Sequence, residues 1–167
     1  METPQRDADL RVGILGFGSR GVSFVAPVLD NNIHNRITAI IDPDISRSKY
    51  FLSECVKHGE IPADEADAVR FMGSLDELEP GEVDCLFLTA SERVRSKLFE
   101  KAVRTGAHLY MEKGLSADLD GARAVLAGME DVRPGQGVFM GFNLRHFPPL
   151  VQAKRVLREG RIGKPLF

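Results

Sequence analysis

Leu10-Arg11-Val12-Gly13-Ile14-Leu15-Gly16-Phe17-Gly18-Ser19-Arg20-Gly21 joins a short apolar run to a glycine-rich turn. Its first half is a short, largely apolar run that reads as a buried strand. It passes without a linker into G-x-G-x-x-G, and Val22, Phe24, Val25, Val28 and Leu29 follow as an apolar helical pattern. Each glycine has a physical role in such a strand–turn–helix. Gly16 permits the tight turn, Gly18 lets the backbone approach a pyrophosphate, and Gly21 lets helix and strand pack closely. The amides opening the helix offer free N–H groups to an anion. Phe17, Ser19 and Arg20 fill the variable positions, so the whole loop from Gly16 to Gly21 is a candidate cofactor contact.

A second apolar run, Ile37–Ile41, ends in Asp42, 21 residues after Gly21. That is close to the ~20 residues at which an acid reaches the adenosine ribose of a bound dinucleotide. Glycine loop and acid together imply a dinucleotide site. A carboxylate at Asp42 repels the extra phosphate of NADP, which favours NAD. NADP is the alternative, with Arg47 in the next helix as the group that would pair with its 2′-phosphate. The plainer reading is that the glycines close a βα corner and that Asp42 only starts the turn Asp42-Pro43-Asp44. Pro27 lies inside the first helical pattern, where it removes a hydrogen bond, so that helix is expected to be short or bent.

Along the rest of the chain, apolar runs alternate with helical patterns, the signature of βαβ units. Leu10–Leu15, Ile37–Ile41, Val69–Met72, Val83–Thr89, His108–Met111 and Val138–Phe142 are the expected strands. They predict an α/β fold: a Rossmann-type, doubly wound parallel sheet of about six strands, in order 3-2-1-4-5-6, with helices on both faces. Between strands, Val94, Leu98, Ala102 and Val103 make one apolar stripe, with Ser91 as N-cap and Gly106 as C-cap. Leu119, Ala122, Leu126 and Met129 make another. Residues 1–9 read as a polar tail and 10–147 as the nucleotide-binding domain. Residues 148–167 read as a helix, opening at Pro148-Pro149, and the start of a truncated or absent C-terminal substrate domain.

The 167 residues are 43% hydrophobic and 28% charged with a net charge of −2, a globular composition. No apolar run spans a bilayer, and the scattered basic residues exclude nucleic acid as the expected partner. The tail lacks the basic and apolar regions of an export signal, so the cytoplasm is the expected location. Cys55 and Cys85 give no disulfide or metal spacing, and Cys85 is expected to pack as core. His34, His58, His108 and His146 have no Asp or Cys at a motif spacing, so no metal site is expected. Methyltransferase, P-loop and short-chain dehydrogenase signatures are missing, which leaves nicotinamide redox chemistry.

Tyr110-Met111-Glu112-Lys113-Gly114 closes the fifth strand. Alone, Glu112-Lys113 would be a solvated charge pair. Taken with Leu10–Gly21, Asp42, Thr89-Ala90-Ser91 and Gly141-Phe142-Asn143-Leu144-Arg145, it makes the chain resemble the glucose-fructose oxidoreductase / inositol dehydrogenase / rhizopine-catabolism (Gfo/Idh/MocA) family. The resemblance implies Lys113 as the residue exchanging a proton with the substrate oxygen and Glu112 as the residue holding it in place. It implies contacts from Thr89, Ala90, Ser91, Glu112 and Arg145 to the cofactor, with NAD as that cofactor. It also implies a sugar- or polyol-like small-molecule substrate and a homo-oligomer. Three features depart from the pattern: Gly114 stands where the family has Pro, Val94 where it has His, and the family's substrate domain has no counterpart after Phe167. A dinucleotide-binding module without turnover, or a retained fold with a decayed site, are the other readings.

Overall fold

The computed structural model describes residues 9–29 and 35–164. Strand β1 (Leu10–Leu15) leads into two short helices, α1 (Ser19–Val22) and α2 (Val25–Leu29). Then come β2 (Asn35–Ile41), α3 (Ile45–Lys57), α4 (Ala63–Asp67) and β3 (Arg70–Met72). The second half runs β4 (Cys85–Leu88), α5 (Glu92–Arg104), β5 (His108–Glu112), α6 (Leu119–Gly128), β6 (Val138–Gly141) and α7 (Pro148–Arg158). All pairings are parallel, and the order is β3-β2-β1-β4-β5-β6, as the sequence predicts. The order reverses between β1 and β4, so the loops leaving these strands part to form a crevice at the carboxyl edge.

Parallel strands buried on both faces need apolar residues at successive positions. Leu86, Leu88, Leu109 and Met111 pack on one side against Phe99, Val103 and Val125 of α5 and α6. Val12, Ile14, Ile37 and Ile40 pack on the other against Val25 and Val28 of α2 and Leu52 of α3. Pro27 acts as expected: the first helix breaks between Val22 and Val25, which leaves Pro27 in the first turn of α2, where an N–H has no intrahelical acceptor.

Two helical faces differ from expectation. The buried side of α5 is Arg95, Phe99, Ala102 and Val103, whereas Val94 is 44% exposed on the crevice side. In α6 and at its C-cap, Leu119 (65% exposed), Leu126 and Met129 face outward, and Val125 and Gly128 are buried. The reason is close helix packing. A Cβ at Gly128 would lie 3.0 Å from Phe99 Cδ1, and one at Gly121 would lie 2.9 Å from Ser96 Oγ, so α6 meets α5 through its small residues. Cys55 is buried and Cys85 only half-buried, and burial pushes both thiols up, to about 12 and about 11. Residues 1–8 of the expected tail, His34, and residues 165–167 lie outside the described residues.

Candidate functional site

The glycine loop is held from two sides. Gly16 has φ 92°, and a Cβ there would sit 2.5 Å from the Ala90 amide nitrogen, so the loops after β1 and β4 touch backbone to backbone. Thr89 Oγ1 donates to Gly16 O at 2.7 Å. Phe17 turns inward: its ring is fully buried, and its N–H donates to Asp42 Oδ2 at 2.8 Å. It anchors the loop and does not face the crevice. Gly18 is different, since a Cβ added there meets nothing within 4 Å. The backbone at Gly18 borders open space, while Ser19 and Arg20 open α1 with amides ahead of the first intrahelical bond, Val22 N to Gly18 O.

Asp42 directly follows β2 and is buried. Its Oδ1 accepts from Asp44 N at 2.9 Å and from Arg47 Nη2 at 3.0 Å. With Phe17 on Oδ2, the carboxylate retains one strong acceptor direction, on Oδ2. Asp42 and Arg47 face a cleft of about 770 Å3 whose walls include Gly18, Ser74, Thr89 and Ser91.

A second cleft, about 450 Å3, shares Thr89, Ala90 and Ser91 with the first and adds Arg20, Lys113 and Asn143. Glu112, 3% exposed, is its buried anchor. Arg20 donates to Glu112 Oε1 at 2.6 Å and Tyr110 Oη donates to the same oxygen at 3.0 Å. Burial opposes ionisation of Glu112, yet the hydrogen bonds from Arg20 and Tyr110 outweigh it and hold the carboxyl below its usual value. Burial, then the bond to Glu112, pushes Tyr110 up to about 12. A Cβ at Gly141 would overlap the Tyr110 hydroxyl, so the glycine on β6 leaves the space this bond occupies. Lys113 itself is exposed.

Gly114 has φ +81°, which proline cannot adopt, and a Cβ there would lie within 2.8 Å of Glu92 Cδ. The proline expected at this position therefore does not fit the loop as built. Arg145 is exposed, stacked 5.5 Å from the Phe142 ring, and Asn143, not Arg145, reaches the second cleft. Sequence pattern alone gives no site role to Arg95, Tyr110 or Glu92, and Arg95 reads there as one more solvent-facing charge of its helix. Among the described residues no group of His, Cys, Asp or Glu could hold a metal, and no helix is long and apolar enough to cross a membrane.

The profile of the Gfo/Idh/MocA family, described as "Oxidoreductase family, NAD-binding Rossmann fold", matches residues 10–133. The chain belongs to this family. Inositol 2-dehydrogenase 4 of Saccharopolyspora erythraea is 27% identical over 164 residues, 95% of this chain and 44% of the relative. The dTDP-3,4-didehydro-2,6-dideoxy-alpha-D-glucose 3-reductase of Actinomadura kijaniata is 26% identical over 98% of this chain and 46% of its own length. The crystal structure of myo-inositol dehydrogenase from Lactobacillus casei, in complex with NAD(H) and myo-inositol, superposes with a TM-score of 0.79 at 20% identity, covering 95% of this chain and 44% of that one, a likeness of fold. The chain thus spans less than half the length of these Gfo/Idh/MocA relatives.

Proposed function

We propose that residues 10–147 are the cofactor-binding part of an NAD-dependent oxidoreductase acting on a cyclitol- or sugar-like hydroxyl or carbonyl, and that the chain from 148 leads toward its substrate domain. The observation carrying this is the pair of clefts joined at Thr89-Ala90-Ser91, with Asp42 at one end, Lys113 at the other and the open backbone of Gly18 on the crevice. A dinucleotide would fit that run: Asp42 Oδ2 would accept from a ribose hydroxyl, the Gly18–Arg20 backbone would receive the pyrophosphate, and Thr89–Ser91 would border the nicotinamide. When bound, the nicotinamide supplies a site that accepts or donates hydride. Lys113 exchanges the proton at the substrate oxygen. Glu112, pinned by Arg20 and Tyr110, fixes the start of the Lys113 loop.

The family relatives named above, an inositol dehydrogenase and a sugar-nucleotide ketoreductase, support the substrate class. Oxidation of myo-inositol, followed by NADH absorbance, tests the reading in a form of the protein that carries a substrate domain. Activity should appear there and be lost in Lys113→Ala, whereas activity that survives Lys113→Ala contradicts the role of Lys113. A second reading, a dinucleotide-binding module without turnover, is favoured by the exposure of Lys113. It predicts NAD binding with no substrate-dependent NADH in any form of the protein.

A further inference from the structure

Arg95 is a buried charge that the reading above leaves unused. It projects from the first turns of α5 into the sheet edge, where its Nε and Nη2 donate to Ala90 O at 3.1 and 2.9 Å. Its Nη1 donates to Glu112 O at 3.0 Å, to Lys113 O at 2.8 Å and to Gly114 O. One guanidinium thus spans the loops leaving β4 and β5. Burying an arginine is costly unless its donors are used. Here the donors are spent on backbone carbonyls, with the carboxylates of Glu92 and Glu112 offsetting the charge from nearby. The loop that receives them needs an external tie. Ladder pairing of β5 ends at Glu112 opposite Gly141, and Gly114 at φ +81° is the residue type least able to stiffen a chain.

We propose that Arg95 is the positioning residue of the Lys113 loop, its planar fork fixing the separation between Ala90 in the cofactor crevice and Lys113 in place of local backbone stiffness. The proposal rests on the proposed role of Lys113, but its test needs neither cofactor nor turnover. In the free wild-type chain, amide order parameters at Lys113 and Gly114 should match the ~0.85 of rigid backbone, although both follow the last strand residue. Values below about 0.6 would overturn the proposal. Arg95→Met keeps side-chain length and removes every donor. It should drop Lys113 and Gly114 below about 0.6 while Leu109–Met111 of β5 stay rigid. The acylation rate of the Lys113 amine, referenced to exposed Lys154 on α7, should change severalfold. Arg95→Lys keeps the charge but lacks the fork, so it should resemble the Met variant. A folded Arg95→Met protein with a rigid loop and an unchanged Lys113/Lys154 ratio contradicts the assignment. If neither variant folds, the wild-type order parameters decide. Failure of the wild-type chain to bind NAD would sink the functional reading and leave these measurements standing.

Discussion

Arg20, in the first turn of α1, and Glu112, the last residue of β5, pair at 2.6 Å across the crevice. The glycine loop is thereby tied to the loop carrying Lys113. Arg20 is half in solvent, so the Coulomb gain is screened, but Glu112 is buried and leaves the Tyr110 hydroxyl without its acceptor if removed. Glu112→Ala should cost roughly 1–3 kcal/mol, read as a lower melting temperature.

The same pair sets a pH dependence. The carboxyl of Glu112 lies below its usual value in the fold, against ~4.3 when unfolded. Its contribution is therefore present above the unfolded value and lost as pH falls through the folded one. Melting curves of wild type and Glu112→Gln should differ at neutral pH, and the difference should start to shrink near the unfolded value of ~4.3 and vanish as pH falls through the lower folded value. A gap that widens on acidification contradicts the assignment.

In the proposed function Asp42 and Arg47, which pair at 3.0 Å, set cofactor choice. Since Arg47 offsets the Asp42 charge, NAD should be preferred over NADP only modestly, on the order of tenfold or 1.4 kcal/mol. Arg47→Ala should enlarge that preference, and Asp42→Ala should free Arg47 for a 2′-phosphate and narrow it. Calorimetric titrations of both variants with both nucleotides check the direction, and a wild type that prefers NADP rejects the ribose role of Asp42.

Gly114 is tested by adding the proline that the family resemblance suggests. Gly114→Pro meets both φ +81° and Glu92, so it should destabilise the fold by about 2 kcal/mol or more and not improve it. Gly114→Ala should be partly relieved by Glu92→Ala, because the Glu92 clash is removed while the φ penalty remains. A double-mutant cycle by denaturant melting measures that coupling.

Much of this was legible in the chain. Strand–glycine–helix, the acid at Asp42 and the alternating apolar runs led to the six-stranded order, because right-handed crossovers leave few alternatives once the strands are buried. The helix faces were less legible. Apolar count points to Leu119, Leu126 and Met129, but the packed side of α6 is set by Gly121 and Gly128, which allow close approach to α5 and carry no hydropathy signal. Arg95 was hidden for the opposite reason: a charged residue counts as solvent-facing until the carbonyls that satisfy it are placed. Phe17 belongs to the loop by motif position, and only the fold turns its ring into the core.

Whether a dinucleotide lies across the Gly18 backbone is read from calorimetric titration of the 167-residue chain and its Gly18→Val variant with NAD. A Cβ at Gly18 meets no protein atom within 4 Å, so the variant should fold, with a melting temperature close to that of wild type. Saturable binding of one NAD by wild type and its loss in folded Gly18→Val is the predicted result. No binding by wild type, or equal binding by the folded variant, would contradict it.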